Sequence, residues 1–319
     1  MLTRVYGLSR DLDLWGDLME LGKKETQSQQ NTENNPTGLK ILWSELRRDK
    51  LALFSLILLI VIVVFVYGIS FVMNQDEIAK VDLFSIHKPP SKEFILGTDY
   101  GGRDVFGQLI IGTRNSLSIG FLVTFLSGVV GVAFGLVAGY FGGHIDNILM
   151  RVLDFFQVLP FIMLVIVFVS IVPNYTIIAF SLIFTAFSWM GVARLIRSKA
   201  LQEKELDYVQ ASKTLGTSHF KIIFREVMPN ISSLIIVTMT LNLASNIGLE
   251  SGLSFLGFGF PESTPSLGTL LSYATNPQTL EHRWWIWFPA AVMILVLMLA
   301  VRNVGEALRR ATDARQRRG

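Results

Sequence analysis

The sequence predicts an all-α membrane protein with six transmembrane helices, and three observations carry that prediction. Hydrophobic residues make up 51% of the chain and charged ones only 17%, with a mean hydropathy of +0.47. The apolar residues are gathered into runs, which excludes an ordinary soluble domain. Six of those runs approach or exceed the ~20 residues a helix needs to cross a bilayer core, and none of the six contains Lys, Arg, Asp or Glu.

Residues 1–38 are polar, with Gln27-Ser28-Gln29-Gln30-Asn31 and Asn34-Asn35-Pro36. They read as a flexible cytoplasmic tail, in which Leu8–Leu21 could form a short helix. In residues 39–50, Leu39, Leu42, Trp43 and Leu46 recur at helical spacing, with Glu45, Arg47, Arg48, Asp49 and Lys50 on the rest of the turn. That pattern suits an amphipathic helix in the membrane interface, although an extension of the first span satisfies it too. Residues 51–305 form the six-span domain.

The first span, Leu51–Met73, is the strongest. A polar connection, 74–114, follows, with turns at Gly97-Thr98-Asp99 and Gly101-Gly102-Arg103-Asp104. The second span, Leu117–Phe141, carries Gly120, Thr124 and Gly128, then Gly131, Gly135 and Gly139 at four-residue spacing. Small residues so spaced let helices approach closely, so packing is the expected role and a place on a pathway the alternative. The third and fourth spans, Phe155–Val172 and Thr176–Ala193, are short and read as a tight hairpin about Pro173-Asn174. Arg151 and Asp154, three apart before the third span, can pair with each other.

The fifth span, Asn230–Leu249, bears a polar stripe of Thr238, Asn242, Ser245 and Asn246 that continues to Glu250. Polar groups in lipid must face protein or a wet cavity, so the stripe either lines a path or bonds neighbouring helices. The connection 250–283 is rich in Gly and Pro, and its apolar start, Ser251–Phe258, could dip back into the membrane region. The sixth span, Trp284–Val301, opens on Trp284, Trp285 and Trp287, an aromatic belt. Residues 306–319 form a basic cytoplasmic tail.

Lys and Arg set the orientation. The termini and the connections on their side hold 22 of them, the opposite side six. Both termini are therefore expected in the cytoplasm, with 74–114 and 250–283 outside. The net charge of +3 follows from this topology and requires no nucleic acid.

A charged island, Arg194–Glu226, separates spans four and five. Leu206, Val209 and Leu215 can share a helix face there, with Ala211 and Ser212 small beside them and Gly216 placed to stop the helix. Phe220, Ile223, Phe224 and Val227 form a second amphipathic stretch, ended by Pro229. Spacing alone fits equally a docking surface and an ordinary loop packed on the helix ends.

Other chemistries find little support. There is no Cys, hence no disulfide or thiolate metal site. His87, His144, His219 and His282 all lie outside the spans, which offers neither an intramembrane metal cage nor a Ser-His hydrolase. No Gly-x-x-x-x-Gly-Lys-[Ser/Thr] occurs. A secondary transporter would need intramembrane acids and interrupted repeats, and an intramembrane enzyme titratable groups inside the spans.

The stretch Val209-Gln210-Ala211-Ser212-Lys213-Thr214-Leu215-Gly216, followed by Pro229, resembles the EAA loop of ABC importer permeases. More closely, the chain resembles the C-type permease subunit of dipeptide and oligopeptide (and nickel) importers, within the binding-protein-dependent transport inner-membrane component family. The matching pieces run in order over roughly residues 40–310. They include Leu96-Gly97-Thr98-Asp99, Gly112-Thr113-Arg114-Asn115-Ser116-Leu117, Tyr140-Phe141-Gly142-Gly143, Leu159-Pro160, Leu253-Ser254-Phe255-Leu256-Gly257, Pro265-Ser266-Leu267-Gly268 and Trp287-Phe288-Pro289. Two departures stand out: Gln210-Ala211-Ser212 where the family has Glu-Ala-Ala, and Met228-Pro229 for Leu-Pro.

The resemblance implies a type I ABC importer permease fold in the cell membrane, with a coupling helix in 198–229 seated in a groove of a cytoplasmic ATPase. It assigns that contact to Asp207, Tyr208, Val209, Gln210, Ala211, Ser212, Leu215, Gly216 and Pro229. The chain would be no enzyme and hold no cofactor, since partner ATPases bind ATP and Mg. The partners implied are a homologous second permease in a heterodimer, two ATPases, an extracytoplasmic peptide-binding protein, and membrane lipids. Thr238, Asn242, Ser245, Asn246 and Glu250 remain the candidates for the path. Peptides fit the neutral donors and acceptors of Thr238, Asn242, Ser245 and Asn246 better than nickel, which prefers imidazole, thiolate or carboxylate ligands.

Overall fold

In lipid every backbone polar group must be satisfied within the protein, and long helices do this without a partner strand. A computed structural model describes residues 49–172, 176–261 and 263–316. The expected helices at Leu8–Leu21 and, except for its last two residues, 39–50 lie outside them, as does Pro173-Asn174. The described chain is helical, with five helices long and apolar enough to cross a membrane and a sixth, bent pair.

Helix α1 (Lys50–Val72) is capped by the Asp49 carboxylate, which accepts from the Leu51 and Ala52 amides at 3.0 and 3.1 Å. Helix α2 (Val105–Phe141) begins well before the expected Leu117. Asp104 caps it, accepting from the Phe106 and Gly107 amides at 3.2 and 3.0 Å. Its first turns carry Gln108, Thr113, Asn115 and Ser116, all buried against protein. An apolar run therefore understates the helix.

The single span expected over Phe155–Val172 is instead two helices. Helix α3 (Gly143–Val158) and α4 (Phe161–Ile171) meet at 77°. Pro160 has no amide to donate and pushes Leu159 into an extended conformation, ψ 134°, which breaks the ladder. Helix α5 (Ile177–Glu203) runs past the expected end at Ala193 and takes in the first third of the charged island.

After helix α6 (Asp207–Thr214) comes α7 (His219–Phe255). Pro229 does not end a helix there, contrary to expectation. The turn before it, Ile223–Val227, is a π-turn, in which the Met228 amide bonds to the Ile223 carbonyl. The wider turn gives the proline ring room and the helix continues. Ser251–Phe255 is the last stretch of α7, not a dipping loop. Gly257, at φ +86°, closes it with the Phe258 amide on the Leu253 carbonyl at 2.9 Å. Helices α8 (Leu267–Ser272) and α9 (Pro277–His282) lead to α10 (Trp284–Gln316), which takes residues 306–316 of the expected basic tail into the helix.

Two sets of helix ends emerge. On one, Asp49 pairs with Arg310 and the Tyr140 hydroxyl meets His219 Nδ1 at 2.9 Å. On the other, Arg114 donates to Gln75 at 2.9 Å and His87 Nε2 lies 3.2 Å from Arg283. Trp285 packs on this second side against Gly97, its indole N–H reaching the Thr98 carbonyl at 3.4 Å.

The glycines of α2 serve two neighbours. A Cβ at Gly131, Gly135 or Gly139 would come within 2.6 to 2.8 Å of atoms of α5, including the Trp189, Ala193 and Arg197 carbonyls. A Cβ at Gly120 or Gly128 would meet Ile247 or Met239 of α7 at 2.6 and 2.3 Å. Since backbone cannot yield as a flexible side chain can, Gly135→Val is expected to destabilise the protein by about 1–3 kcal/mol or more. A lowered thermal transition in detergent checks this, and a transition matching the parent would contradict it.

Candidate functional site

Two regions draw polar chemistry together. The first is the knuckle between α5 and α7. Asp207 in the first turn of α6 and Lys213 in the last complement the helix dipole. Val209 is wholly buried among Tyr140, Ala200, Ile222, Ile223 and Val227. Leu206 and Leu215 do not share its face: they flank α6 and are 46% and 83% exposed. One valine thus anchors the helix, and Asp207, Ala211, Leu215 and Gly216 stay open to solvent.

Polar contacts fix the rest of the knuckle. The Tyr208 hydroxyl donates to Glu203 at 2.5 Å and accepts from Asn230 at 2.7 Å. Burial, then the bond to Glu203, pushes its phenol well above the ordinary value. Gln210 donates to the Lys204 carbonyl at 2.8 Å and Ser212 to Glu226 at 2.7 Å. Gly216 adopts φ +77° and stops α6, a conformation in which a side chain is strained. Pro229 is exposed on the first turn after the π-turn. The knuckle also holds a pair that spacing did not single out as a site, Tyr140 and His219, with Lys213 Nζ 5.3 Å from the Tyr140 ring. These residues lie far apart in sequence, and only the fold joins them.

Asp154 does not pair with Arg151. It binds Arg194 of α5 at 2.6 Å, and Asp146 takes Arg197 in a two-point contact at 2.5 and 2.8 Å. Both aspartates of α3 thus point to α5. Between them Leu153 packs on Met190 and Ala193.

The second region is a cavity of about 640 Å³ between α3–α4, α5 and α7. Thr238, Asn242, Ser245 and Asn246 line one wall. The second wall is Phe187, Ser188, Gly191 and Leu195 of α5, and the third is the α3–α4 bend around Gln157, Leu159 and Pro160. No lining residue is charged. A smaller cavity of about 350 Å³ shares Leu195, Thr238 and Asn242 with it and reaches Arg309 of α10.

The polar stripe divides. Asn246 also donates to Thr124 of α2 at 2.9 Å, so it holds two helices together. Glu250 does not line the cavity. It is fully buried, accepts from Ser254 at 2.8 Å, and is reached by the Ser116 and Ser266 hydroxyls. There it ties α2 and α7 to the segment that opens α8. Spacing put Glu250 on the same stripe, but the helix face turns away by that point. Gln157, Ser188 and Gly191 were not picked out from sequence, because Gln157 lies on α3 and the other two on α5, and only tertiary packing turns both helices to one cavity.

Cysteine placed at Asn242 or Ser245 is expected to react with a small hydrophilic thiol reagent, and cysteine at buried Ile247 on the opposite face is not. The chain has no native Cys, so labelling yields read this directly. Equal labelling at all three would mean the stripe does not face an open cavity.

Residues 131–315 match the family described as the binding-protein-dependent transport system inner membrane component. Residues 38–90 match the N-terminal TM domain of oligopeptide transport permease C. The chain is 49% identical over 273 residues to the oligopeptide transport system permease protein OppC of Lactococcus lactis subsp. cremoris (strain SK11), covering 85% of this chain and 93% of that one. It is 36% identical over 277 residues to the dipeptide transport system permease protein DppC of Bacillus subtilis (strain 168), covering 86% and 85%. To the oligopeptide transport system permease protein AmiD of Streptococcus pneumoniae (strain ATCC BAA-255 / R6) it is 33% identical over 275 residues, covering 85% and 87%.

Proposed function

The chain belongs to the family of binding-protein-dependent transport system inner membrane components, and from that premise we propose that it is one of two permeases of an ATP-driven importer of oligopeptides or dipeptides. The observation that carries the substrate class is the cavity between α3–α4, α5 and α7. Its lining is uncharged, with hydroxyl and amide groups on one wall and aromatic and aliphatic groups on the others. Such a surface offers donors and acceptors to a peptide backbone and apolar area to its side chains. It holds no fixed charge to trap a side chain of opposite sign. A nickel path would call for imidazole or carboxylate donors, and the lining supplies none.

The motor is a pair of separate cytoplasmic ATPases that bind ATP and Mg. The α6 knuckle is the coupling element, and Asp207, Ala211, Leu215 and Gly216 present the docking surface. Tyr208, Gln210 and Ser212 hold the knuckle in shape through Glu203, Lys204 and Glu226, and Val209 roots it in the core. Displacing α6 would load α7 through Ile222, Ile223 and Val227, and α5 through Ala200. Those helices carry two walls of the cavity, so a push on the knuckle reshapes the path. A second permease of the same family faces this one across the path, and an extracytoplasmic peptide-binding protein delivers substrate to the side of residues 74–104.

In the reconstituted complex with its second permease and ATPases, uptake of a labelled short peptide is expected with the parent chain. Ala211→Trp and Gly216→Val should reduce it at least about tenfold while both chains still insert, since one fills the docking surface and the other strains the turn. Normal uptake by both variants would remove α6 from the motor interface. Nickel accumulation in place of peptide uptake would overturn the substrate class.

Orientation has its own test. An impermeant thiol reagent applied to intact cells should label a cysteine at Lys92 or Thr264 and spare one at Lys204. The reverse pattern would invert the topology.

A further inference from the structure

We infer that Gly191 sets the bore of the path, and with it the size of the side chains that a transported peptide can carry. The inference rests on the proposed peptide importer and extends it to a residue that neither the polar stripe nor the coupling knuckle includes.

Glycine in the middle of a helix is unfavourable by about 1 kcal/mol relative to alanine, so an interior glycine calls for a reason. For most helical glycines in this protein the reason is packing. Gly120, Gly128, Gly131, Gly135, Gly139, Gly248 and Gly305 each have a neighbour that an added Cβ would meet at 2.3 to 2.8 Å. Gly191 differs. It sits well inside α5 with ordinary helical φ, and a Cβ there would meet nothing within 4 Å. No close helix and no positive φ accounts for it. Gly68 and Gly252 also meet nothing, but neither lines the cavity.

The empty space beside Gly191 is the cavity itself. Phe187, Ser188, Gly191 and Leu195 follow one another along one face of α5, and all four line it. Phe187 and Leu195 are bulky, so Gly191 makes a notch between them. The wall on α7 is Thr238, Asn242 and Ser245, and the third wall is the Leu159-Pro160 bend. The two outer walls are rigid in kind, one a continuous helix and the other a proline break. The notch at Gly191 is therefore where lumen width is gained without moving backbone. Because the lining lacks charge, width rather than charge is the feature by which it can discriminate among peptides.

The test uses the complete complex in proteoliposomes, with Gly191→Ala, Gly191→Leu and Gly191→Phe. The Cβ that each of these adds meets no atom within 4 Å, and each raises helix propensity. Uptake of trialanine and triphenylalanine is measured separately, together with co-purification of the second permease. Gly191→Ala is expected to lower triphenylalanine uptake less than the two larger side chains do. Gly191→Leu and Gly191→Phe should lower triphenylalanine uptake by about tenfold or more while trialanine uptake falls by less than about twofold, in line with what steric discrimination achieves. Equal loss of both peptides, or loss of neither, would overturn the inference. So would loss of the second permease from the purified complex, which would make Gly191 a contact between permeases. If the parent complex took up neither peptide, the peptide-importer reading itself would fail, an outcome distinct from any result with the variants.

Discussion

The close approach of α2 and α5 is the contact on which the rest depends. It exists because Gly131, Gly135 and Gly139 have no Cβ to hold the helices apart. In lipid there is little hydrophobic gain in pressing two apolar helices together, so close backbone packing must supply the attraction. With α5 pressed to α2, the residues along that seam and on its other faces are committed. Ile196 and Ala200 seat Val209 of the knuckle, Arg194 and Arg197 hold α3, and Phe187 to Leu195 form a wall of the cavity. One helix thus links the proposed motor contact to the proposed path.

Two prolines show how context decides what a breaker does. Pro160 follows a residue forced into extended geometry and ends α3, opening a bend that becomes a cavity wall. Pro229 sits in a helix that continues, because the wider π-turn ahead of it, with the Met228 amide on the Ile223 carbonyl, gives the ring room. The first device creates a surface. The second keeps one helix continuous from the end of the knuckle to the cavity wall.

Polar groups inside the apolar spans fall into two kinds, separated by their neighbours. Asn246 with Thr124 joins helices, and Glu250 with Ser116, Ser254 and Ser266 ties down the connection that opens α8. Burying such groups is tolerable because each finds partners. Thr238, Asn242 and Ser245 face open volume instead. Along a single helix face the stripe therefore passes from lining to structural anchoring within a few turns.

Charge-free apolar runs revealed the membrane class, the number of spans and their rough positions, because the cost of burying charge in lipid is large enough to be written into composition. The family was legible in ordered short motifs, and the stop at Gly216 in the need for positive φ. Helix ends were not legible: α2, α5 and α7 extend beyond their apolar runs, since residues such as Gln108 and Glu250 are polar yet satisfied by protein. Partners across the fold were hidden as well. Asp154 met Arg194 rather than Arg151, and Leu206 and Leu215 turned outward while Val209 turned in. Local spacing specifies which residues can share a face. Only the packing of that face against another helix decides whether it meets protein, lumen or solvent, and Gly191, indistinguishable in sequence from the packing glycines of α2, owes its different surroundings to that alone.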